Sequence, residues 1–444
     1  MRIRSLAAVA ALAFVLAACD SSQSAAPSPT RAPTGSVAPT PSSAPSPVHE
    51  TSGSAERAMQ ELCDYGPPPS SAPPPAEGPT PPAVAGVEKA VEDLRGLTFT
   101  KPVVADAVTH EELVDGLQES FDYSFPEELL GRKSLAWQTI GVIPAGTSIR
   151  DDLEAYASGQ VIGYYDTLTG ELAFIGTDDP SPLEEVTLAH ELTHAIDDQH
   201  FGLERIDQLG TSCHDEAAAA AVALVEGNAS YLMTRYAFED LTTAEQIEYA
   251  AESLLGGLST PDVAPFIANQ QLWPYFRGQA FVQALNSKGG TEAIDAAFRD
   301  LPVSTEQILH PDKYPSDVPT PVDIPDLGSA LGQGWTDLDV QEVGEAWLSM
   351  ALDLRMDQTE AATAAAGWDG GIYRAWSNGD EVAVVLSTVW DTTEDAEQFA
   401  DAMTTWIDAS DGPAAAVLPV EGTGVRVLFA SDAETLDALS AAAS

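Results

Sequence analysis

Residues Ser181–Gly202 read SPLEEVTLAHELTHAIDDQHFG. The stretch opens as a helix: Ser181 is an N-cap, Pro182 suits the first turn, and Glu184 completes a capping box. Val186, Ala189, Thr193 and Ile196 recur at helical spacing and can pack one side. The helix is expected to run to about Gln199, with Gly202 shortly beyond. Side chains one turn apart lie on one face, so His190 and His194 can bind a single ion. Glu191, the residue after the first His, can reach a water on that ion without being a ligand. Imidazoles suit Zn²⁺, and a third protein ligand leaves the fourth position open for a water that ionises near neutral pH. The alternative is a pair of solvated or core histidines on an amphipathic helix.

The third ligand is expected from another helix. Asp215–Ala237 reads as one, with an apolar body that includes Val222, Leu224, Val225 and Leu232. Glu226 is a lone charge in that body, and buried carboxylates need a metal or a partner. A solvated Glu beside a kink at Gly227 is the alternative. Upstream of the motif, Gln160–Ile175 holds two β-rich runs around Asp166–Gly170, which is a hairpin signal. An edge strand beside the motif helix can pair with an extended peptide through main-chain hydrogen bonds, although a purely structural hairpin has the same pattern.

The pattern His190-Glu191-x-x-His194 followed by Glu226-Gly227-Asn228-Ala229 resembles the gluzincin branch of zinc metallopeptidases. By that likeness His190, His194 and Glu226 bind zinc and Glu191 activates the water. The wider wording also resembles a group of uncharacterised exported bacterial metallopeptidases over roughly residues 84–315. It includes LAHELTHA (188–195), DQHF (198–201), VEGN (225–228), PYFRG (274–278) and STEQILHP (304–311). One position departs from the better-known gluzincins, which place an Asp four residues after the ligand Glu to hold the first His. Ser230 stands there, so Asp197, Asp198 and Asp215 are the candidate partners of the imidazoles. His310, Arg277, Tyr275 and Tyr231 are the candidate donors to the oxyanion that peptide hydrolysis develops. His200 and His214 read as ordinary surface or capping histidines.

Residues 1–18 read as a lipoprotein signal: Arg2 and Arg4 precede an apolar stretch, and Leu16-Ala17-Ala18-Cys19 resembles a lipobox whose Cys19 is acylated. An ordinary cleaved secretory signal is the rival. Neither this stretch nor any later run is long enough for a transmembrane helix. Residues 19–83 are rich in Pro, Ser and Ala and are expected to form a disordered tether, interrupted by a short helical patch near Ala55–Leu62. Beyond Cys19, Cys63 and Cys213 are either free or joined in a disulfide, which an exported location permits. The net charge of −50, from 19 basic and 69 acidic residues, makes nucleic acid and anionic lipid surfaces poor partners.

The expected fold class is α+β: a zincin-like catalytic unit over 84–315, with a small sheet, the active-site helix and further helices, then a smaller C-terminal α/β section over 326–444. Strands are expected at Leu97–Val104, at Ile372–Trp376 and Glu381–Thr388 around Asn378-Gly379, and near Ala414–Leu418 and Gly424–Phe429. Helices are expected from Thr109 to about Ser120, at Gln341–Asp353, Gln358–Ala366, Thr393–Ile407 and Ala433–Ala442, with a turn at Gly367–Gly371. Together these readings imply a membrane-tethered, extracytoplasmic zinc peptidase acting on a peptide or protein substrate. Two alternatives remain open: a non-enzymatic zinc-containing binding lipoprotein, and a zinc hydrolase with a non-peptide substrate.

Overall fold

The computed structural model describes residues 8–12, 53–63, 78–116, 126–167, 169–176, 179–255, 262–410, 412 and 414–443. Cys19, the rest of the signal outside 8–12, and most of the tether therefore lie outside the described residues. The chain begins with β1 (Ala8–Leu12), α1 (Ser54–Leu62), α2 (Pro82–Arg95), β2 (Val104–Val108) and α3 (110–116). It continues with α4 (Glu127–Ile140), α5 (Ile149–Gln160), β3 (Val161–Asp166), β4 (Glu171–Ile175) and α6 (Pro182–Phe201). Five helices follow: α7 (Glu204–Thr211), α8 (Asp215–Glu239), α9 (Thr243–Leu255), α10 (Pro265–Arg299) and α11 (Thr305–Leu309). Next come α12 (Gly328–Leu331), β5 (Thr336–Glu342), α13 (Glu345–Asp353), α14 (Gln358–Ala365), β6 (Trp368–Asn378) and β7 (Glu381–Trp390). The last elements are α15 (Thr393–Asp408), β8 (Ala414–Val417), β9 (Gly424–Ala430) and α16 (Ala433–Ala442). The architecture is mixed α+β with two sheets. Among the described residues, no helix is long and apolar enough to cross a membrane.

The first sheet has the order β1-β3-β4-β2 and carries the hairpin expected around Asp166–Gly170. β2 runs parallel to β4, and Ala8–Leu12 lies antiparallel along the outer edge of β3. Leu172 and Phe174 of β4 point into a core with Val87 and Val91 of α2, Leu188 and Leu192 of α6, and Leu232 of α8. The strand expected at Leu97–Val104 is a correction: Leu97–Val103 is irregular, and pairing begins at Val104. Pro102 explains the shift, because it lacks an N–H and cannot donate to a ladder.

The second sheet, order β5-β6-β7-β9-β8, is antiparallel throughout and buries Trp368, Trp376 and Trp390. Two expectations fail here. Residues 341–342, expected to open a helix, end strand β5 and α13 starts only at Glu345; antiparallel pairing with β6 extends to Glu342 opposite Ile372, and these ladder hydrogen bonds hold both residues in the sheet. The expected turn at Gly367–Gly371 is largely the start of β6, whose Gly370 lets the chain pass close to the Thr320 carbonyl. The remaining C-terminal helices and strands lie where expected to within a few residues.

Two earlier segments pack onto this second sheet. Trp137 of α4 joins its apolar cluster and donates from Nε1 to Gln341 Oε1 at 3.0 Å. The helical patch in the tether is α1, whose Ala55, Ala58 and Met59 are buried against Val340 and Trp376, and a Cys63–Cys213 disulfide ties its end to the turn before α8.

A clasp of carboxylates links α8, α11 and α13. The buried Glu216 accepts from the Thr305 backbone N–H and hydroxyl, and its carboxylate lies against Gly344 at the N-terminus of α13. Burial pushes Glu216 up to about 8 and Glu306 up to about 7. Both values exceed the unfolded value, so the stability these groups contribute is complete below about 4.5 and is lost as pH rises through 7 to 8. The unfolding midpoint is therefore expected to fall between pH 5 and pH 9, and Glu216→Gln is expected to flatten that decline. Urea titrations across this range check it; a midpoint that rises with pH contradicts it.

Candidate metal centre

Helix α6 is built as its sequence dictates. The Ser181 hydroxyl accepts from Glu184 N, the Glu184 side chain accepts from Ser181 N, and Gly202 closes the far end in a left-handed conformation. The helix is buried from Val186 to Asp197, so both histidines and Glu191 are inside the protein. Helix α8 crosses it and delivers Glu226 to the same point.

His190 Nε2 lies 3.0 Å from His194 Nε2 and 3.2 Å from Glu226 Oε2, and His194 Nε2 lies 3.7 Å from the same oxygen. Ligands about 2.0–2.1 Å from a tetrahedral ion stand roughly 3.3 Å apart. The triangle has that size, and among the described residues these three form the one group that could hold a metal ion. Its electrostatics agree. Burial, then the neighbouring His190, holds His194 well below the usual imidazole value, leaving a neutral ring with a lone pair to offer. Burial pushes the Glu226 carboxyl up, and a cation at the centre of the triangle is what would keep it ionised.

A glycine crossing presses a further residue into the centre. A Cβ on Gly278 of α10 would sit 1.8 Å from the Ala223 carbonyl oxygen, and one on Gly227 would sit 2.1 Å from the Gly278 carbonyl carbon. Backbone therefore meets backbone where α8 and α10 cross. One turn back on α10, Tyr275 stacks on His190 at 6.0 Å and hydrogen-bonds Glu226. Burial, then the carboxylates of Glu226 and Glu191, raises the Tyr275 hydroxyl far above its usual value, so it stays a donor. Gly278→Ala must part the two helices. It is expected to cost about 1–3 kcal/mol of stability and to weaken zinc binding, both measurable by denaturant unfolding and zinc titration; an unchanged zinc affinity would show that the crossing does not set the centre.

Of the four oxyanion candidates, Tyr275 alone reaches the centre. His310 Nε2 is 2.9 Å from Glu345 Oε1, Tyr231 OH accepts from Asn286 at 3.0 Å, and Arg277 is exposed. The three candidate partners of the imidazoles are engaged elsewhere. Asp197 accepts from Arg95 Nε at 2.7 Å and Asn228 Nδ2 at 2.6 Å, Asp198 from the Tyr165 hydroxyl at 2.9 Å, and Asp215 from Lys133 at 3.2 Å. His190 Nδ1, Ser230 Oγ and Asn228 Oδ1 are buried with no hydrogen-bond partner among the described residues. His214 pairs with Glu342 at 3.7 Å and contributes nothing to the centre.

Sequence reasoning missed Arg95, which is fully buried and bridges Asp197 and Asp295 at 2.7 Å each, with its guanidinium carbon 5.6 Å from the ring centroids of the stacked pair Phe201 and Phe298. It locks α2, α6 and α10 together directly behind the ligands, and Asp197 passes the lock to Asn228 of α8. Its only signal was a lone Arg closing an apolar helical run. Gly163 of β3 was missed too, although a glycine inside a strand marks close approach.

A family model described as a domain of unknown function (DUF8575) matches residues 335–440, from the start of β5 into α16. No curated protein matches the chain. Among solved structures, a protein of Chloroflexus aurantiacus described as "a putative hydrolase with a novel fold" is 18% identical, aligns over 59% of this chain and 95% of its own, and has a TM-score of 0.34.

Proposed function

We propose that this chain is a zinc-dependent peptidase of the gluzincin kind, exported and tethered to the membrane through lipid on Cys19. The observation that carries the reading is the convergence of His190, His194 and Glu226 within ligand distance of one point, with Glu191 one residue from the first ligand and Tyr275 against the third. Three protein ligands leave one position free, which suits catalysis better than a closed structural site. When bound, Zn²⁺ would polarise a substrate carbonyl and acidify a water.

The chain's own groups supply the remainder. Glu191 takes the proton of the attacking water and later delivers it to the leaving amine as the C–N bond breaks. Tyr275, whose one O–H is given to Glu226 in this structure, would turn it to the oxygen on which charge develops. Strand β3 runs beside α6 and offers an edge to an extended peptide. Its edge already takes Ala8–Leu12 in antiparallel register, so its main-chain groups are placed for strand addition. On this reading, removal of residues 1–18 on export frees that edge. A helix bearing both histidines under a small sheet supports a zincin-like catalytic unit, and the Cys63–Cys213 disulfide supports an oxidising location.

The test is metal content together with digestion of an unbiased peptide library by zinc-loaded protein. Cleavage that a chelator abolishes and added zinc restores is expected. Bound zinc without any cleavage would move the assignment to a binding lipoprotein or to a hydrolase of non-peptide bonds.

A further inference from the structure

Gly163 is the point where strand β3 touches Glu191. A Cβ built on it would lie 3.2 Å from both Cγ and Oε1 of Glu191, and 3.3 Å from the Ala173 carbonyl oxygen of β4. That is closer than ordinary van der Waals contact, so a methyl there must push the carboxylate away. The backbone at Gly163 does not have positive φ, and glycine inside a strand costs about 0.5–1 kcal/mol relative to alanine. Local conformation gives no reason for a glycine here; the proximity of Glu191 does. The register adds a second fact: in the pairing of β1 with β3, Ala11 stands opposite Gly163. A strand added to this edge therefore passes the Glu191 carboxylate at the Gly163 register.

We propose that Gly163 is a positioning residue, whose bare Cα fixes Glu191 between the metal ligands and the main chain of a peptide paired with β3. This rests on the peptidase reading. It deepens that reading by assigning the scissile bond to the register opposite Gly163. The Glu191 carboxylate must give by a few tenths of an ångström; since about 1 Å in a reacting group costs on the order of 10²-fold in rate, the effect should be severalfold and fall on kcat rather than on peptide binding.

The test uses full-length, zinc-loaded protein and a peptide cleaved by the wild type. Gly163→Ala is expected to lower kcat about three- to tenfold, with KM within twofold and zinc stoichiometry unchanged. Glu191→Ala removes both Cγ and Oε1, the two atoms of Glu191 that a Cβ on Gly163 would meet. In that background Gly163→Ala should have no further effect on kcat, because residues acting as a unit are not additive. Ile162→Ala, on the alternate face of the strand, should leave kcat unchanged. If Gly163→Ala is destabilised, the double variant with Glu191→Ala should recover the part of the loss that Glu191 causes, the contact with the Ala173 carbonyl remaining. Wild-type kcat in Gly163→Ala, a fully additive loss of residual kcat in the Glu191→Ala background, a KM rise at constant kcat, or no recovery of stability in the double variant would each overturn the inference. A wild type that binds zinc but cleaves no peptide defeats the peptidase reading instead, and folding of the two Gly163→Ala variants then still tests the contact with Glu191.

Discussion

On the proposed function, Glu191→Gln is expected to lower kcat for peptide hydrolysis by about 10²- to 10⁴-fold, the usual worth of a positioned general base, and to leave one zinc ion bound per chain. The two halves of this result follow from different atoms. Gln keeps the size of the side chain against Gly163 but cannot take a proton. The atoms placed to ligate are Nε2 of His190, Nε2 of His194 and Oε2 of Glu226, none of which the substitution touches. His190→Ala removes a ligand and must lose zinc and activity together, so the pair of variants separates chemistry from coordination. Steady-state kinetics with metal analysis on both proteins is the check. Activity that survives in Glu191→Gln refutes its role as base.

The second large effect is expected at Arg95, far from any substrate. Arg95→Ala leaves the buried Asp197 without its cation and Asp295 with only Arg299 at 3.7 Å, and removing one partner of a buried ion pair typically costs about 3–5 kcal/mol. Asp197 is held by Arg95 against burial, which acts to raise its carboxyl; without Arg95 it is driven to protonate, and its bond with Asn228 weakens. Because Asn228 lies two residues after Glu226, the loss should reach the metal: groups that orient ligands are commonly worth 10- to 100-fold in affinity. Arg95→Lys should rescue little, since two separate nitrogens of the guanidinium, Nε and an Nη, serve the two carboxylates. Denaturant unfolding and competitive zinc titration measure both parts. A zinc affinity unchanged in a destabilised Arg95→Ala would confine Arg95 to the fold.

The parts of this molecule that were legible beforehand are those whose information is local. The capping box of α6, the spacing of His190 and His194 and the hairpin around Asp166–Gly170 each lie within a few residues, and all are present. Glu226 was legible because a single charge in an apolar helix demands a partner. Other features depend on chain passing nearby from elsewhere. β5 was hidden because residues 341–353 contain enough helix formers to conceal a strand that neighbours supply with hydrogen bonds. Tyr275 could not be told from His310, Arg277 or Tyr231, since the Gly227–Gly278 crossing that selects it joins residues far apart in sequence. Asp197 was recognised as a candidate but given the wrong partner: it holds Arg95 and Asn228 and touches neither imidazole.

The most direct test of the metal centre is anomalous diffraction at the zinc edge from crystals of the protein grown with stoichiometric zinc. One peak is expected inside the triangle of His190 Nε2, His194 Nε2 and Glu226 Oε2, about 2.0–2.2 Å from each, with one coordination position facing Glu191 and no fourth protein ligand. A peak elsewhere, a fourth side chain closing the sphere, or Glu226 turned away from the ion would contradict it.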